Sequence, residues 1–174
     1  QKNFQEVRPH VAMIVPRIIE KFYHRIIGTV SSGSKLKKLF FKWAMDIGKK
    51  RYILELRNEA LSPVLWLGSF IARFFIYNKI KQIFGGNVKF FISGGAKLSK
   101  DIARFFYAAD ILILEGYGLT ETSPVVAVNR PEKNKFGTVG IPLDDVSVRT
   151  AEDGEILVQG PNIMKGYFKD DAAT

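Results

Sequence analysis

The sequence predicts an α/β protein, in which a parallel-sheet subdomain is followed by a short antiparallel, barrel-like segment. Two apolar runs, residues 88–92 and 111–114, have the length of buried strands and enclose a helical stretch at residues 99–109. This strand–helix–strand order is typical of a parallel sheet. After Pro124 the pattern changes to short strands separated by turn residues, which predicts antiparallel pairing.

The first half of the chain is mainly helical. Residues 11–15 predict a strand, and apolar pairs at helical spacing over residues 17–27 predict an amphipathic helix. Residues 28–33 contain glycine and serine and predict a loop. Ser34 is placed to cap a second helix that runs to about Lys50. That helix is expected to bury one face, formed by Leu36, Leu39, Phe40, Trp43 and Ile47.

A third helical stretch is predicted over residues 62–84, with Gly85-Gly86 at its end. Its most apolar part, residues 61–72, is too short to cross a bilayer, which takes about 20 largely apolar residues. We interpret it as a packed or interfacial helix. In the second half, strands are predicted at residues 125–128, 146–149 and 156–158.

Charge is distributed unevenly between the halves of the chain. Residues 1–89 contain 17 lysines and arginines against 5 aspartates and glutamates, whereas residues 90–174 contain 9 against 12. A basic half can contact an anionic membrane or nucleic acid, or can consist of solvated helix faces. No nucleic-acid-binding motif is present, and no cysteine is available for disulfides or thiol chemistry. The two histidines have no cluster of carboxylates nearby, which argues against a metal site.

Residues 115–122 are the most informative segment. They follow the strand at residues 111–114, and ligands of open α/β sheets bind at the carboxyl ends of strands. The two glycines of this segment, Gly116 and Gly118, allow the backbone to approach phosphates. The composition therefore suits a nucleotide.

Three side chains of this segment suit the same ligand. Tyr117 offers a flat face to a base, Thr120 can donate to a phosphate oxygen, and Glu121 can hold a magnesium ion. Each also has a structural interpretation. Tyr117 could be a core aromatic, but its two flanking glycines argue against this because they leave the ring little side-chain packing. Thr120 and Glu121 could be a helix N-cap and a first-turn carboxylate, which is compatible with ligand binding.

Three other segments accompany Tyr117-Gly118-Leu119-Thr120-Glu121 in a fixed order: Ser93-Gly94-Gly95-Ala96, Gly137-Thr138-Val139-Gly140-Ile141-Pro142, and the block from Gly154-Glu155-Ile156 to Met164-Lys165-Gly166-Tyr167. Together they resemble the adenylate-forming enzyme superfamily, most closely the AMP-forming long-chain acyl-CoA synthetases. Val7-Arg8-Pro9 and Val15-Pro16-Arg17 also look like the long-chain branch.

The resemblance implies an internal fragment of the large N-terminal domain of an ATP-dependent fatty acid–CoA ligase. Such an enzyme converts a long-chain fatty acid to acyl-AMP and then to the coenzyme A thioester, with ATP, Mg²⁺ and coenzyme A. The phosphate loop, the ribose-binding Thr-Gly-Asp and the lid lysine of the family are not in this sequence, so the fragment alone is expected to be inactive. Residues 1–124 are expected to form the α/β subdomain with the nucleotide-binding strand ends, and residues 125–174 a β-rich subdomain that stops before the lid domain.

The resemblance also implies site residues. Thr120 and Glu121 are the expected catalytic residues, and Glu121 is the expected magnesium ligand. The expected nucleotide-binding residues are Gly94, Gly95, Ala96, Glu115, Gly116, Tyr117, Gly118 and Thr120. Lys97 replaces the family's usual proline and either leaves the turn freer or adds a cation. Residues 31–35 lack the pattern of the family's phosphate loop and are interpreted as a flexible loop.

The expected substrates are a fatty acid, ATP and coenzyme A, with no nucleic acid. The expected location is cytoplasmic, with residues 1–89 in peripheral contact with the anionic inner face of a membrane. The side chains expected at that surface are Lys35, Lys37, Lys38, Lys42, Lys49, Lys50, Arg51, Phe40, Phe41 and Trp43. The alternatives are another acyl- or aryl-adenylating enzyme, or a non-catalytic basic module for membranes or nucleic acid. Oligomeric state and acyl chain length stay open.

Overall fold

The computed structural model describes residues 2–174, which divide into two compact units. The first ends at Ile113 and the second spans Leu114–Thr174. The sequence pattern predicted that the change from the parallel α/β subdomain to short antiparallel strands comes later, after Pro124. The units divide earlier because the strand that begins at Leu112 continues into antiparallel pairing with the strands that follow it.

The first unit is a helical assembly with a parallel strand pair. Its strands are β1 (Val11–Ile14) and β2 (Phe90–Ser93), and Val11 pairs with Phe90 in parallel register. Its helices are α1 (Lys2–Val7), α2 (Pro16–Ser31), α3 (Lys35–Leu56), α4 (Pro63–Ala72), α5 (Asn78–Ile83) and α6 (Lys100–Ala108). The predicted parallel α/β arrangement is confirmed, with α1 as an addition.

Aromatic side chains form much of the core of the first unit. The rings of Phe22 and Phe84 lie 4.6 Å apart, those of Phe84 and Phe91 lie 5.1 Å apart, and both pairs are edge-to-face. Phe84 and Phe91 are almost completely buried. Such pairs stabilise a core beyond the area that they bury. They join α2 to the segment around β2.

The predicted loop at residues 28–33 is wrong, because α2 continues to Ser31. Gly28 lies inside the helix, and the Thr29 hydroxyl donates to the Arg25 carbonyl at 2.9 Å. A single glycine costs a helix only about 1 kcal/mol. The buried face of α2, which includes Ile19, Phe22 and Ile26, outweighs this cost.

Ser34 caps α3 as predicted, since its hydroxyl accepts from the Lys37 amide at 3.3 Å. The helix extends past Lys50 to Leu56. The predicted buried face is wrong: Leu36 and Leu39 are exposed, and Phe40, Trp43 and Ile47 are only half-buried. The side that packs inside carries Phe41, Ala44, Met45 and Gly48.

Close helix packing explains this register of α3. A Cβ atom on Gly48 would lie 2.3 Å from the carbonyl oxygen of Ala108 in α6. The crossing therefore selects the face that carries Gly48, and Leu36 and Leu39 point elsewhere. Two side chains expected at a membrane surface, Phe41 and Arg51, are buried.

The predicted helical stretch at residues 62–84 is confirmed, but a π-helical segment, Arg73–Tyr77, separates α4 from α5. Gly68 and Ala72 of α4 are buried, and a Cβ atom on Gly68 would lie 3.0 Å from Ile47 of α3. Gly85 and Gly86, both with positive φ, follow α5. Within residues 2–174, no helix combines the length and apolar character that a membrane span needs.

The second unit is built from short antiparallel strands. β3 (Leu112–Tyr117) enters it and pairs with β4 (Ala127–Val128), which pairs with β5 (Ile141–Pro142). β6 (Ser147–Thr150) pairs with β7 (Ile156–Gln159). The three predicted strands are confirmed. β5 was not predicted, because a proline in a two-residue strand gives no strand signal.

Candidate functional site

The first group of predicted site residues follows β2 in the first unit. Gly94 is half-buried, whereas Gly95 and Ala96 are exposed. Gly95 has a φ of +82°, which favours glycine, and no atom lies within 4 Å of the position of an added Cβ. The backbone of this turn is therefore accessible to a ligand.

Ser93, the last residue of β2, is buried, and its hydroxyl has no hydrogen-bond partner among the described residues. Buried hydroxyls almost always have such a partner. An unpaired hydroxyl directly before an open glycine turn fits a polar ligand at the end of this strand.

The other predicted site residues lie in the second unit, at and after the end of β3. Glu115 is buried, and its carboxylate accepts from the amide of Gly137 at 3.2 Å. Its carbonyl accepts from the amide of Asn129 at 2.9 Å. Glu115 thus ties β3 to the segment around Gly137, so any ligand contact would come from its surroundings rather than from an exposed carboxylate. Gly116 lies opposite Val128 of β4.

The chain turns tightly after β3. A Cβ atom on Gly118 would lie 1.6 Å from the carbonyl oxygen of Pro124, so no other residue fits there. Tyr117 is half-buried, and its carbonyl accepts from the amide of Val126 at 2.8 Å. The glycine brings the two sides of the loop together.

Residues Thr120–Thr122 form a 3₁₀ turn that Thr122 caps. The Thr122 hydroxyl accepts from the Leu119 amide at 2.9 Å and donates to the Leu119 carbonyl at 3.0 Å. The N-cap position is Leu119, so the structural interpretation of Thr120 as the N-cap is wrong. Thr120 is exposed, which fits a hydroxyl available to a ligand.

Glu121 presents its carboxylate at the surface of this turn. The Tyr167 hydroxyl donates to Glu121 Oε1 at 2.5 Å, and the Met164 amide donates to the Glu121 carbonyl at 2.8 Å. The hydrogen bond from Tyr167 lowers the pKa of Glu121, and the same bond raises the pKa of Tyr167. The Glu121 carboxylate is therefore ionised at neutral pH.

This carboxylate fits a magnesium ion that is shared with phosphates. Mg²⁺ usually keeps several waters and takes one or two carboxylates plus substrate phosphates. Among residues 2–174 no group of three or more histidine and acidic side chains could enclose a metal ion.

A second segment braces the loop, a role that the sequence did not predict. The side-chain amide of Asn162 donates to the carbonyls of Thr122 and Val125, both at 3.0 Å. With Met164 and Tyr167 it fixes the loop from one side. The block from Gly154 to Tyr167 is recognisable as a motif in the sequence, but its spacing alone does not indicate which loop it contacts.

Comparisons with known proteins identify the family of this chain. A model of the family described as "AMP-binding enzyme" matches residues 1–168. The putative fatty-acid–CoA ligase fadD11 of Mycobacterium tuberculosis (strain ATCC 25618 / H37Rv) is 36% identical over 171 residues, which cover 97% of this chain and 30% of the relative. The long-chain-fatty-acid–CoA ligase 1 of Homo sapiens is 31% identical over 185 residues, which cover 99% of this chain and 25% of that protein.

A solved structure has the same fold. The crystal structure of a long-chain-fatty-acid–CoA ligase (FadD1) from Archaeoglobus fulgidus matches with a TM-score of 0.53 at 18% identity, covering 99% of this chain and 29% of that one. The chain spans about 25–30% of the length of the curated relatives that it matches. Because the family model covers nearly all of its residues, the chain belongs to the AMP-binding enzyme family.

Proposed function

We propose that the full-length protein is an AMP-forming long-chain fatty acid–CoA ligase. In the first step a fatty carboxylate attacks the α-phosphate of ATP, which gives acyl-AMP and pyrophosphate. In the second step the thiol of coenzyme A displaces AMP, which gives the thioester. The relatives named as fatty-acid–CoA ligases support this assignment.

The observation that carries the proposal is the loop from Tyr117 to Glu121. It combines a half-buried aromatic residue, an exposed hydroxyl and an ionised carboxylate, all on a backbone that Asn162 and Thr122 hold in place. Such fixed polar groups stabilise charge that develops during phosphoryl and acyl transfer.

Each side chain then has a role in the first step. Thr120 donates to a phosphate oxygen, and Tyr117 packs against the adenine. Glu121 would hold Mg²⁺, which neutralises phosphate charge when it is bound. Gly94, Gly95 and Ala96 line the turn where adenine and acyl group meet. Tyr167 positions the Glu121 carboxylate through its hydroxyl.

The test is ATP–pyrophosphate exchange by the purified full-length protein with fatty acids of increasing length. We expect exchange that depends on long-chain fatty acids and on Mg²⁺, and thioester formation when coenzyme A is added. Exchange with aryl or short acids but with no fatty acid would favour another acyl-adenylating enzyme. If none of the acids tested supports exchange, the proposal is overturned.

We further propose a cytoplasmic protein that contacts anionic membranes peripherally. The support is the excess of basic residues in residues 1–89. A long-chain fatty acid partitions into bilayers, so a membrane-bound enzyme meets its substrate at higher local concentration. Each basic side chain near an anionic surface contributes about 1 kcal/mol, and salt screens it. The contact is therefore expected to be reversible and to weaken as salt is added.

A further inference from the structure

A cavity of about 450 Å³ lies in the first unit, away from the glycine turn that follows β2. Lys89, which directly precedes β2, lines it, whereas the turn at Gly94 and Gly95 follows the same strand. α3 contributes Arg51, and α4 with the π-helical segment contributes Ser69 and Arg73. The cavity thus lies at the opposite end of β2 from the glycine turn.

Positive charge exceeds negative charge around this cavity. Asp110 pairs with Arg51 at 3.2 Å, with Arg73 at 3.4 Å and with Lys81 at 2.9 Å, and Arg51 also lies 3.4 Å from Glu55. Lys89 adds a further cation, so that the cluster contains four cations and two carboxylates: Arg51, Arg73, Lys81 and Lys89 against Glu55 and Asp110. Burial raises the pKa of Asp110, but the hydrogen bond from Lys81 and the surrounding positive charges outweigh burial and lower it. Even with Asp110 ionised, the cations outnumber the carboxylates, so the cluster keeps a net positive charge. This charge favours an anionic ligand.

Two buried polar atoms in the wall of the cavity also indicate a ligand. Ser69 Oγ and Arg51 Nε have no hydrogen-bond partner among the described residues, although Arg51 Nε lies near Glu55. Arg51 is only 7% exposed. Because buried polar groups are nearly always hydrogen-bonded, these donors fit the oxygens of an anion such as a phosphate.

An exposed apolar row adjoins the cavity. Trp66, Phe70 and Phe74 recur every four residues along α4 and the π-helical segment and are 61%, 60% and 64% exposed. The rings of Trp66 and Phe70 are stacked 6.2 Å apart and line the cavity. The opposite side of α4 is the buried one. Exposed aromatic rings beside cations are typical of side chains at a membrane interface.

The π-helical segment begins at Arg73, where the cationic and aromatic surfaces meet. Such wide turns are rare and occur frequently at functional sites. Charge, unpaired donors, exposed rings and an irregular helix thus coincide at one place.

We propose that this cavity binds the phosphate headgroup of an anionic phospholipid, while Trp66, Phe70 and Phe74 enter the interfacial layer of the bilayer. The proposal rests on the peripheral membrane contact proposed above and names its surface. It places that surface on α4 and the cavity beside it, rather than on the lysines at the start of α3. The occupant is a lipid because a free phosphate would leave the aromatic row exposed to water.

The test is co-sedimentation of the full-length protein with phosphatidylcholine vesicles, with and without phosphatidylglycerol. The cavity variant is Arg73→Gln with Lys89→Gln, and the control is Lys35→Gln with Lys38→Gln, which removes the same charge from exposed positions of α3. Lys38 and Arg51 are 13 residues apart on one helix, about 20 Å, which exceeds the screening length of about 8–10 Å. The control therefore reports on net charge without the cavity.

We expect the cavity variant, which loses two charges, to bind anionic vesicles roughly 30-fold more weakly, at about 1 kcal/mol for each charge. The control should stay within about two-fold of the wild type. Phe74→Ser should also weaken binding, and it serves as the test if the charge variant lowers the melting temperature. Tryptophan fluorescence should shift to the blue on vesicle addition, and Trp66→Phe should remove this shift whereas Trp43→Phe should not.

Four results would overturn the inference. If the control loses as much binding as the cavity variant, the lysines at the start of α3 belong to the membrane-binding surface. The proposed membrane contact itself would then still hold. Stabilisation of the wild type by inorganic phosphate, with no difference between the variants on vesicles, would make the cavity a site for free anions. Unchanged vesicle binding by a folded Phe74→Ser variant would mean that the aromatic row does not enter the bilayer. If the wild type binds no anionic vesicles, the proposed membrane contact fails as well, while the ligase assignment is tested separately by exchange.

Discussion

The two units are stabilised by different kinds of contact. In the second unit, side-chain hydrogen bonds to the backbone fix the nucleotide loop, as with Thr122 to Leu119 and Asn162 to Val125. In the first unit, close helix packing at Gly48 and the ion pairs of Asp110 fix the helices. We therefore expect exposed side chains of the loop to control activity, and contacts of the helices to control stability.

The largest effect is expected for Glu121→Ala in the full-length protein. Loss of the carboxylate that would hold Mg²⁺ should lower ATP–pyrophosphate exchange by a factor of about 10²–10³. The melting temperature should stay unchanged, because the side chain is at the surface and the Met164 amide still bonds to the backbone. Glu132→Ala, another exposed carboxylate of the second unit, is the matched control. Near-normal exchange by Glu121→Ala at saturating Mg²⁺ would contradict its assignment.

Gly48→Ala tests whether close helix packing controls the stability of the first unit. The new methyl group would lie 2.3 Å from the Ala108 carbonyl oxygen, so α3 and α6 must move apart. Overpacking of this kind costs about 3 kcal/mol of unfolding free energy. Urea denaturation measures it. Unchanged stability would show that these helices do not pack closely in solution.

Asp110→Asn should lower the free energy of unfolding by about 2 kcal/mol at neutral pH. This is less than for a fully buried pair, because 24% of the Asp110 side chain is exposed. The pKa of Asp110 lies below its ordinary value of 3.8. Its stabilisation is thus complete above that value and is lost as the pH falls through the lower, folded pKa.

The difference between wild type and Asp110→Asn should accordingly disappear in acid. Denaturation curves between neutral pH and about pH 3 would follow this. Asp101→Asn is the control, since Asp101 is 92% exposed and pairs only with Arg104 at i,i+3. It should change stability by less than about 0.5 kcal/mol. An equal loss in both variants would mean that the Asp110 cluster contributes no more than a surface pair.

Tyr167→Phe should have a smaller effect on activity and none on stability. It removes the hydroxyl that holds Glu121 Oε1 and keeps the ring. Loss of one such hydrogen bond should reduce exchange roughly five-fold and raise the Mg²⁺ concentration needed for half-maximal rate. Titration of exchange with Mg²⁺ measures both. An unchanged Mg²⁺ requirement would remove Tyr167 from the site.

The smallest expected effect has the opposite sign. Gly28→Ala should stabilise the protein by about 0.5–1 kcal/mol, because Gly28 is helical and no atom lies within 4 Å of the added methyl group. Thermal unfolding measures the gain. A loss of stability would mean that residues 28–31 leave the helix in solution, as the sequence pattern predicted.

Local signals in the sequence were reliable where one residue determines the geometry. Ser34 caps its helix, Gly85 and Gly86 follow theirs, and Gly118 lies in a turn that excludes any side chain. The order of motifs was sufficient to indicate the family.

Long-range packing was not predictable in the same way. The periodicity of α3 fits more than one face, and only the contact with Ala108 selects the side that carries Gly48. Arg51 looks like a surface cation until Asp110, 59 residues away, is placed beside it. Likewise, no local pattern indicates that Asn162 braces the loop at Thr122.

The π-helical segment sets the angular relation between α4 and α5. In an unbroken α-helix, eleven residues return a side chain to within about 20° of its starting direction, so Tyr77 would point the same way as Trp66. The extra residue in the wide turn rotates everything after it by about 100°. Tyr77 and Ile80 are consequently buried, and the Tyr77 hydroxyl reaches the Ala44 carbonyl at 2.5 Å, while Trp66 and Phe70 face outward. Deleting one residue from Arg73–Tyr77 would put the two helices back in phase and force the chain to expose one set of rings or bury the other.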